Sequence, residues 1–170
     1  IYIGLCSAVS GGFSAPIYAE DIFKSFEDTF EEDAAGKLPQ NYTANFLDGD
    51  VSVGAYFDQK CLCVSKDADG RMTTVKRKFT AVSDIGISVK LDFLQKDVKT
   101  DGTPVLALLN GATEIAAIET KNGGICYKNS SGGYDTLISS YMPNKWYSFE
   151  VTVNLGEGKI SIFESDKKLL

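Results

Sequence analysis

The chain has 170 residues, of which 44% are hydrophobic and 24% charged, as in a single globular domain. It contains no histidine, which excludes Ser-His-Asp and Cys-His catalysis and every histidine-ligated metal site. The formal charge of −6 argues against nucleic acids and anionic membrane surfaces as partners, because both repel an acidic protein.

Residues 1–19 contain no charged side chain and begin with a short apolar run. Glycines, a proline and Ala19 follow, directly before Glu20. This pattern is typical of a secretory signal peptide cleaved after Ala19, and the segment is too short for a spanning helix of about 20 apolar residues. Since the basic start of such a peptide is missing, we expect a partial signal peptide, with an ordinary buried strand or loop as the alternative. The prediction is a secreted or cell-surface protein without membrane insertion after cleavage.

Residues 20–33 are the most acidic part of the chain, with seven carboxylates against Lys24. Phe23, Phe26 and Phe30 lie at a spacing that suits one face of a helix. By periodicity alone, a helix is therefore one interpretation of this segment.

The remainder reads as all-β. Apolar and polar residues alternate in 85–93 and 147–155, as a strand with one buried face requires. Asn-Gly and Asp-Gly pairs separate the strand candidates, which predicts an antiparallel β-sandwich or jelly roll. Trp146 is expected to begin a strand and to anchor the core. The further strand candidates are 51–57, 61–65, 73–79, 105–109, 115–119, 125–128 and 159–163.

Three cysteines lie beyond the predicted signal peptide. Cys61 and Cys63 share one face of a predicted strand and are poorly placed to bridge each other. A disulfide from either to Cys126 is one alternative, and burial of all three as small core residues is the interpretation we favour. No CxxC spacing is present, so a structural zinc site is not expected.

The best candidate for a binding site surrounds a glycine-rich turn. Sugar-binding surfaces combine an aromatic ring, which stacks on the sugar, with amide or carboxylate groups that bind hydroxyls. The segment 127–135 and the residues after it supply such groups, and a plain β-hairpin with edge tyrosines is the alternative. The candidate ligand-binding residues are Tyr127, Asn129, Tyr134, Asp135 and Tyr141.

Several segments together carry a family resemblance. Phe26-Glu27 followed by Gly36-Lys37-Leu38-Pro39, and the segment Asn144-Lys145-Trp146-Tyr147 with its continuation to Val151, resemble concanavalin A-like (laminin-G-like) jelly-roll domains of bacterial secreted polysaccharide-acting proteins. The resemblance covers residues 23–170, and weaker matches are Cys61-Leu62-Cys63-Val64, Arg77-Lys78-Phe79-Thr80 and residues 160–168.

This resemblance implies a jelly roll of the lectin and glucanase type at 20–170, with a strand at 23–27 in place of a helix. In such domains further strands follow the position of Leu170. We therefore expect residues 20–170 to be an incomplete β-sandwich domain, truncated at its C-terminus.

Related domains also suggest what chemistry to look for. Laminarinase-like members use an ExDxxE strand motif, whose nearest match here, 31–36, ends in Gly36. Alginate-lyase-like members use a histidine, which this chain lacks, so we do not expect catalysis within these residues. Such domains often hold a structural calcium ion, for which Glu27 is the candidate ligand, and a solvated acidic face at 27–33 is the alternative. No cofactor is required.

Two functions follow from these patterns. The first is a non-catalytic carbohydrate-binding accessory module of a larger secreted polysaccharide-degrading enzyme, such as a polysaccharide lyase or glycoside hydrolase. Its partner would be a polysaccharide or a cell-wall glycan. The alternative is a structural or adhesive β-sandwich module of a cell-surface protein that binds no sugar.

Overall fold

The described part of the chain consists of strands and turns without a helix, which confirms the all-β prediction. The computed structural model describes residues 2–6, 24–26, 29–45, 51–56, 59–65, 73–80, 86–98, 102–129 and 131–170. Within these ranges the strands are β1 (Tyr2–Cys6), β2 (Lys24–Phe26), β3 (Tyr42–Asn45), β4 (Val51–Tyr56), β5 (Gln59–Val64), β6 (Thr74–Thr80), β7 (Ile87–Leu94), β8 (Thr103–Asn110), β9 (Thr113–Lys121), β10 (Gly124–Lys128), β11 (Tyr134–Ile138), β12 (Trp146–Asn154), β13 (Lys159–Glu164) and β14 (Lys167–Lys168).

The larger sheet has the strand order β11-β10-β9-β8-β1-β6-β3. Strands β8 to β11 form an antiparallel meander, whereas β1 pairs in parallel with both β6 and β8. Asn122 and Gly123 connect β9 to β10 with φ angles of 53° and 77°. Two successive positive φ values define the tight turn that matches the twist of a hairpin, so this Asn-Gly pair is the hairpin turn that the sequence predicts.

The second sheet has the order β14-β13-β12-β7-β2. Its centre is the antiparallel pair of β7 and β12, in register from Trp146 opposite Leu94 to Val153 opposite Ile87. Along β12 every second residue is buried, beginning at Tyr147. The strict alternation of the sequence thus assigns one face of this strand to the core and leaves the other face polar.

The core lies between these two sheets, which pack face to face. Leu106 and Ile118 of the larger sheet belong to the same buried cluster as Phe149, Val151 and Ile162 of the second sheet. The gap left between the facing side chains is too small to admit a water molecule. The packing is therefore dry and close, as in protein interiors generally.

A smaller unit lies beside the sandwich. Strands β4 and β5 pair only with each other among the described residues, and Val51 belongs to a second buried cluster with Tyr42 and Val75. The turns before β3 are fixed to β4 because Gly36 donates to the carbonyl of Val53 and the amide of Val53 donates to Lys37, both at 2.8 Å.

Some strands were not foreseen. β3 and β11 lie in segments that the sequence marks as turns or leaves unassigned, whereas β14 lies at the end of the segment 160–168 that carries part of the family resemblance. Strand β1 lies within residues 1–19, the segment predicted to be a signal peptide, and β2 lies within the strand predicted at 23–27.

Candidate functional site

The β10–β11 hairpin holds four of the five predicted binding residues, but it does not gather them on one surface. Lys128 pairs with Tyr134, and Tyr127 pairs with Asp135. Because neighbours along a strand point to opposite faces, Tyr134 lies on the opposite face of the sheet from Tyr127 and Asp135.

Tyr127 belongs to the core. It is only 8% exposed and is part of the cluster between the two sheets. Burial, together with the nearby charges of Asp135 and Glu114, raises the pKa of its phenol above the ordinary value. A ring that is packed into the core in this way does not offer the stacking platform that the sequence predicts.

Asn129 organises the loop between the two strands. Its Oδ1 accepts hydrogen bonds from the Gly133 amide at 2.8 Å and from Ser131 Oγ at 2.7 Å. Its Nδ2 donates to Asp135 Oδ2 at 3.4 Å. The amide predicted to bind sugar hydroxyls is therefore used within the hairpin itself.

The other two tyrosines differ in exposure. Tyr141 is 3% exposed, and its hydroxyl donates to Gln95 Oε1 at 2.6 Å, so it also presents no platform. Tyr134 is 37% exposed, with Lys121 Nζ 3.6 Å from its ring centroid. The lysine covers one face of that ring through a cation–π contact. Tyr134 and Asp135 thus remain as the exposed members of the predicted site.

The predicted calcium ligand Glu27 lies outside the described residues. Across the ranges that the structure describes, no three acidic or cysteine side chains come together in a group able to hold a metal ion. Glu31 and Asp33 lie in turns, where their backbone carbonyls accept hydrogen bonds from Lys60 Nζ.

A groove on the outer face of the second sheet brings together groups that the sequence did not single out. Its volume is about 140 Å³. Glu150 of β12 stands at its centre, paired across one side with Lys90 of β7 and across the other with Phe163 of β13. The groove is lined by Lys90, Ser148, Glu150, Phe163, Ser165 and Asp166.

Two hydrogen bonds involve residues that line this groove. Ser88 Oγ donates to Glu150 Oε1, which fixes one carboxylate oxygen from the side of β7. The Ser165 amide donates to the carbonyl of Ser148 at 3.1 Å. Ser165 and Asp166 have φ angles of 45° and 69°, so the turn between β13 and β14 bends tightly beside the groove.

The residues that line the groove include one aromatic side chain, one ammonium, two carboxylates and two hydroxyl groups. This combination suits a ligand with an apolar face and several hydroxyls. Its volume is below the roughly 300–1,000 Å³ of pockets that enclose a drug-sized molecule. A single ring of an extended ligand matches this site better than a buried cofactor does.

Trp146 lies on the same outer face of β12, two residues before Ser148. It is not part of the core between the sheets, which corrects the expectation of a core anchor. The alternation that buries Tyr147 and Phe149 directs Trp146 outward. Its Nε1 atom is buried without a hydrogen-bond partner.

The groove was missed because its residues come from strands distant in sequence. Lys90 and Glu150 occupy polar positions of the two most regular alternating segments, 85–93 and 147–155. That alternation was the available signal. The two residues are brought together by the pairing of β7 with β12, and neither segment alone predicts that pairing.

The cysteines divide into a buried one and a pair. Cys126 is 7% exposed, which confirms the prediction of a core residue, whereas Cys63 is exposed and Cys61 half-buried, which corrects it for Cys63. None of the three forms a disulfide. The sulfur atoms of Cys61 and Cys63 lie 3.8 Å apart. Burial, with the neighbouring Cys63 thiol, raises the pKa of Cys61 to about 11.

The described residues thus define an all-β protein with two sheets packed face to face and a polar groove on an outer sheet face. Comparisons of the chain with protein-family models, curated proteins and solved structures found no match. A helix with the length and apolar character needed to cross a bilayer does not occur in the described ranges.

Proposed function

We propose that this chain is a non-catalytic carbohydrate-binding module of concanavalin A-like type, belonging to a larger secreted polysaccharide-degrading protein. The observation that carries the proposal is the outer groove, in which Phe163 and Lys90 flank Glu150 from the two neighbouring strands. Its ligand is one sugar ring of a polysaccharide or cell-wall glycan.

The chemistry of the groove supports a hydroxyl-rich ligand. A sugar ring has an apolar face that stacks on an aromatic side chain and hydroxyls around its rim that need donors and acceptors. Here Lys90 supplies a donor, Glu150 and Asp166 supply acceptors, and Ser148 supplies both. Ser88 holds Glu150 in place, so little side-chain freedom is lost on binding.

The test compares the retention of groove variants on insoluble polysaccharides and in affinity electrophoresis. Phe163→Ala removes the ring, and we expect about tenfold weaker binding, since a buried aromatic contact contributes about 1–2 kcal/mol. Glu150→Gln removes the charged acceptor but keeps a hydrogen-bonding partner for Ser88, so binding should weaken while the melting temperature changes little.

Glu157→Gln is the matched control. It removes the same charge at an exposed turn, where Glu157 pairs with Lys159 at 3.0 Å. If the wild-type chain is retained and all three variants are retained equally well, the groove is ruled out as the binding site. If Tyr134→Ala weakened retention instead, the exposed part of the β10–β11 hairpin would be the site.

The alternative is a structural or adhesive module that binds no sugar. It is favoured by the predicted sugar-binding residues Asn129 and Tyr141, whose polar groups form hydrogen bonds within the protein. A wild-type chain that is retained on none of the polysaccharides would support this alternative.

A further inference from the structure

The two cysteines of β5 approach each other more closely than their positions on a strand require. Residues two apart on a strand stand about 6.6 Å apart along the chain, because each residue adds about 3.3 Å. The sulfur atoms of Cys61 and Cys63 are nevertheless separated by only 3.8 Å. The two side chains therefore lean toward each other along one face of the hairpin.

Gly54 provides the space for this arrangement. It lies on β4 directly opposite Cys61. A Cβ atom at Gly54 would stand 2.8 Å from the sulfur of Cys63, closer than real contacts allow. The backbone of Gly54 does not require glycine, because its φ lies outside the left-handed region that other residues avoid. The glycine is thus needed for the position of the Cys63 sulfur.

From this geometry we propose that Cys61 and Cys63 form an open two-thiolate site for a soft cation of the zinc type. In tetrahedral coordination with metal–sulfur bonds of about 2.3 Å, two sulfurs stand about 3.8 Å apart, which is the observed separation. Sulfur ligands select soft cations over magnesium or calcium. One sulfur is exposed and the other half-buried, so an ion reaches both from solvent.

The site is open because the described residues supply only two of its four coordination positions. Within the described part of the chain no third acidic or cysteine side chain joins the two sulfurs. Water or a small ligand completes the coordination, unlike in a closed structural zinc site. Binding replaces two thiol protons by the ion, so each ion bound releases protons to solvent.

This site is independent of the proposed glycan groove. The thiol pair lies on the β4–β5 sheet, whereas the groove lies on the sheet that contains β7 and β12. Loss of one function is therefore expected to leave the other intact.

The test is a titration of the full, reduced chain with Cd²⁺, whose bond to thiolate gives an ultraviolet charge-transfer band. We expect the band to saturate in the wild-type chain and to vanish in Cys61→Ser and in Cys63→Ser. Cys126→Ser is the matched control, because that thiol is buried on β10 of the larger sheet, and it should keep the band. A wild-type chain without the band, or a band that survives both substitutions, would overturn the proposal.

Gly54→Ala tests the geometry without removing a sulfur. Displacement of the Cys63 sulfur should weaken Zn²⁺ binding by about tenfold or more in competition with a chromophoric chelator, the loss typical of disturbed ligand positioning. If the variants fail to fold, protection of the cysteines from alkylation in the wild-type chain tests the site instead. Zn²⁺ should slow alkylation of Cys61 and Cys63 but not of Cys126, and equal alkylation with and without the ion would contradict the site.

Discussion

At the scale of single residues, side-chain direction decides which polar groups remain available to a ligand. Tyr127 and Tyr134 belong to one hairpin, yet one ring lies in the core and the other at the surface. Asn129 would suit a sugar hydroxyl by its chemistry, but its Oδ1 already accepts two hydrogen bonds within the loop. We therefore expect Asn129 to contribute to stability and not to binding.

Asn129→Ala tests this role. The substitution removes the acceptor for Gly133 and Ser131, and at roughly 1 kcal/mol for each hydrogen bond the free energy of unfolding should fall by about 1–2 kcal/mol. Urea denaturation measures the change. Ser131→Ala is the control, because it removes one of these bonds and should cost less. Equal stability of wild type and Asn129→Ala would contradict the structural role.

At the scale of elements, the pairing of β10 with β11 depends on a close approach at Gly124. A Cβ atom at this position would lie 2.7 Å from the carbonyl oxygen of Ile138. Since that oxygen belongs to the backbone, the clash is not relieved by a side-chain rotation. Any residue larger than glycine at position 124 would therefore collide with the backbone of β11.

We expect Gly124→Ala to lower the free energy of unfolding by about 1–3 kcal/mol, as overpacking does elsewhere. Amide hydrogen exchange should become faster along β11. Gly158→Ala is a useful comparison, because no atom lies within 4 Å of its Cβ position and its φ is +63°. We expect Gly158→Ala to lower the free energy of unfolding by about 1–2 kcal/mol, because alanine is strained at this backbone angle. Amide exchange in β11 should not become faster. Unchanged exchange in Gly124→Ala would show that β11 does not depend on this contact.

Much of the strand content could be predicted from the sequence, because alternation is a local property. β7 and β12 alternate over almost their whole length, and both appear where 85–93 and 147–155 predict them. β11 was missed because Gly132 and Gly133 precede it and its first residues, Tyr134 and Asp135, read as part of the turn. In an edge strand whose outward residues are both polar and apolar, the sequence shows no regular alternation of apolar and polar residues.

The candidate sites were less accessible to sequence reasoning. Phe163, Glu150 and Lys90 form one row only because β12 lies between β13 and β7 in a particular register. Shifting a strand by one residue would place the opposite set of side chains outward. Tyr127 illustrates the same difficulty. A tyrosine is a suitable residue type for a binding platform, but its position in the alternation of β10 directs this one into the core.

At the scale of the whole molecule, burial of a titratable ring in the core links stability to pH. The ordinary pKa of Tyr127, 10.0, is raised in the folded chain by burial and then by Asp135 and Glu114. Below pH 10 the phenol is neutral in both states, so its full contribution to stability is present. As pH rises past that value only the unfolded chain loses the proton readily, and stability falls.

We therefore expect the melting temperature to decline above pH 10 and Tyr127→Phe to decline less, because it lacks the hydroxyl. Thermal denaturation followed by circular dichroism measures both. Tyr134→Phe, at an exposed tyrosine, is the matched control and should follow the wild type. A wild-type curve that is parallel to that of Tyr127→Phe would contradict the assignment.

The position of β7 and β12 also has a consequence for the folding pathway. These strands pair with each other, but the four strands β8 to β11 intervene in the chain and belong to the opposite sheet. The meander closes through short local turns, whereas the β7–β12 pair must bring together segments about 60 residues apart, a slower step because of its loop-closure entropy. The chain has a single tryptophan, and it lies at the first position of β12, opposite Leu94. We therefore expect its fluorescence to report the pairing of β12 with β7, as a step that follows formation of the meander.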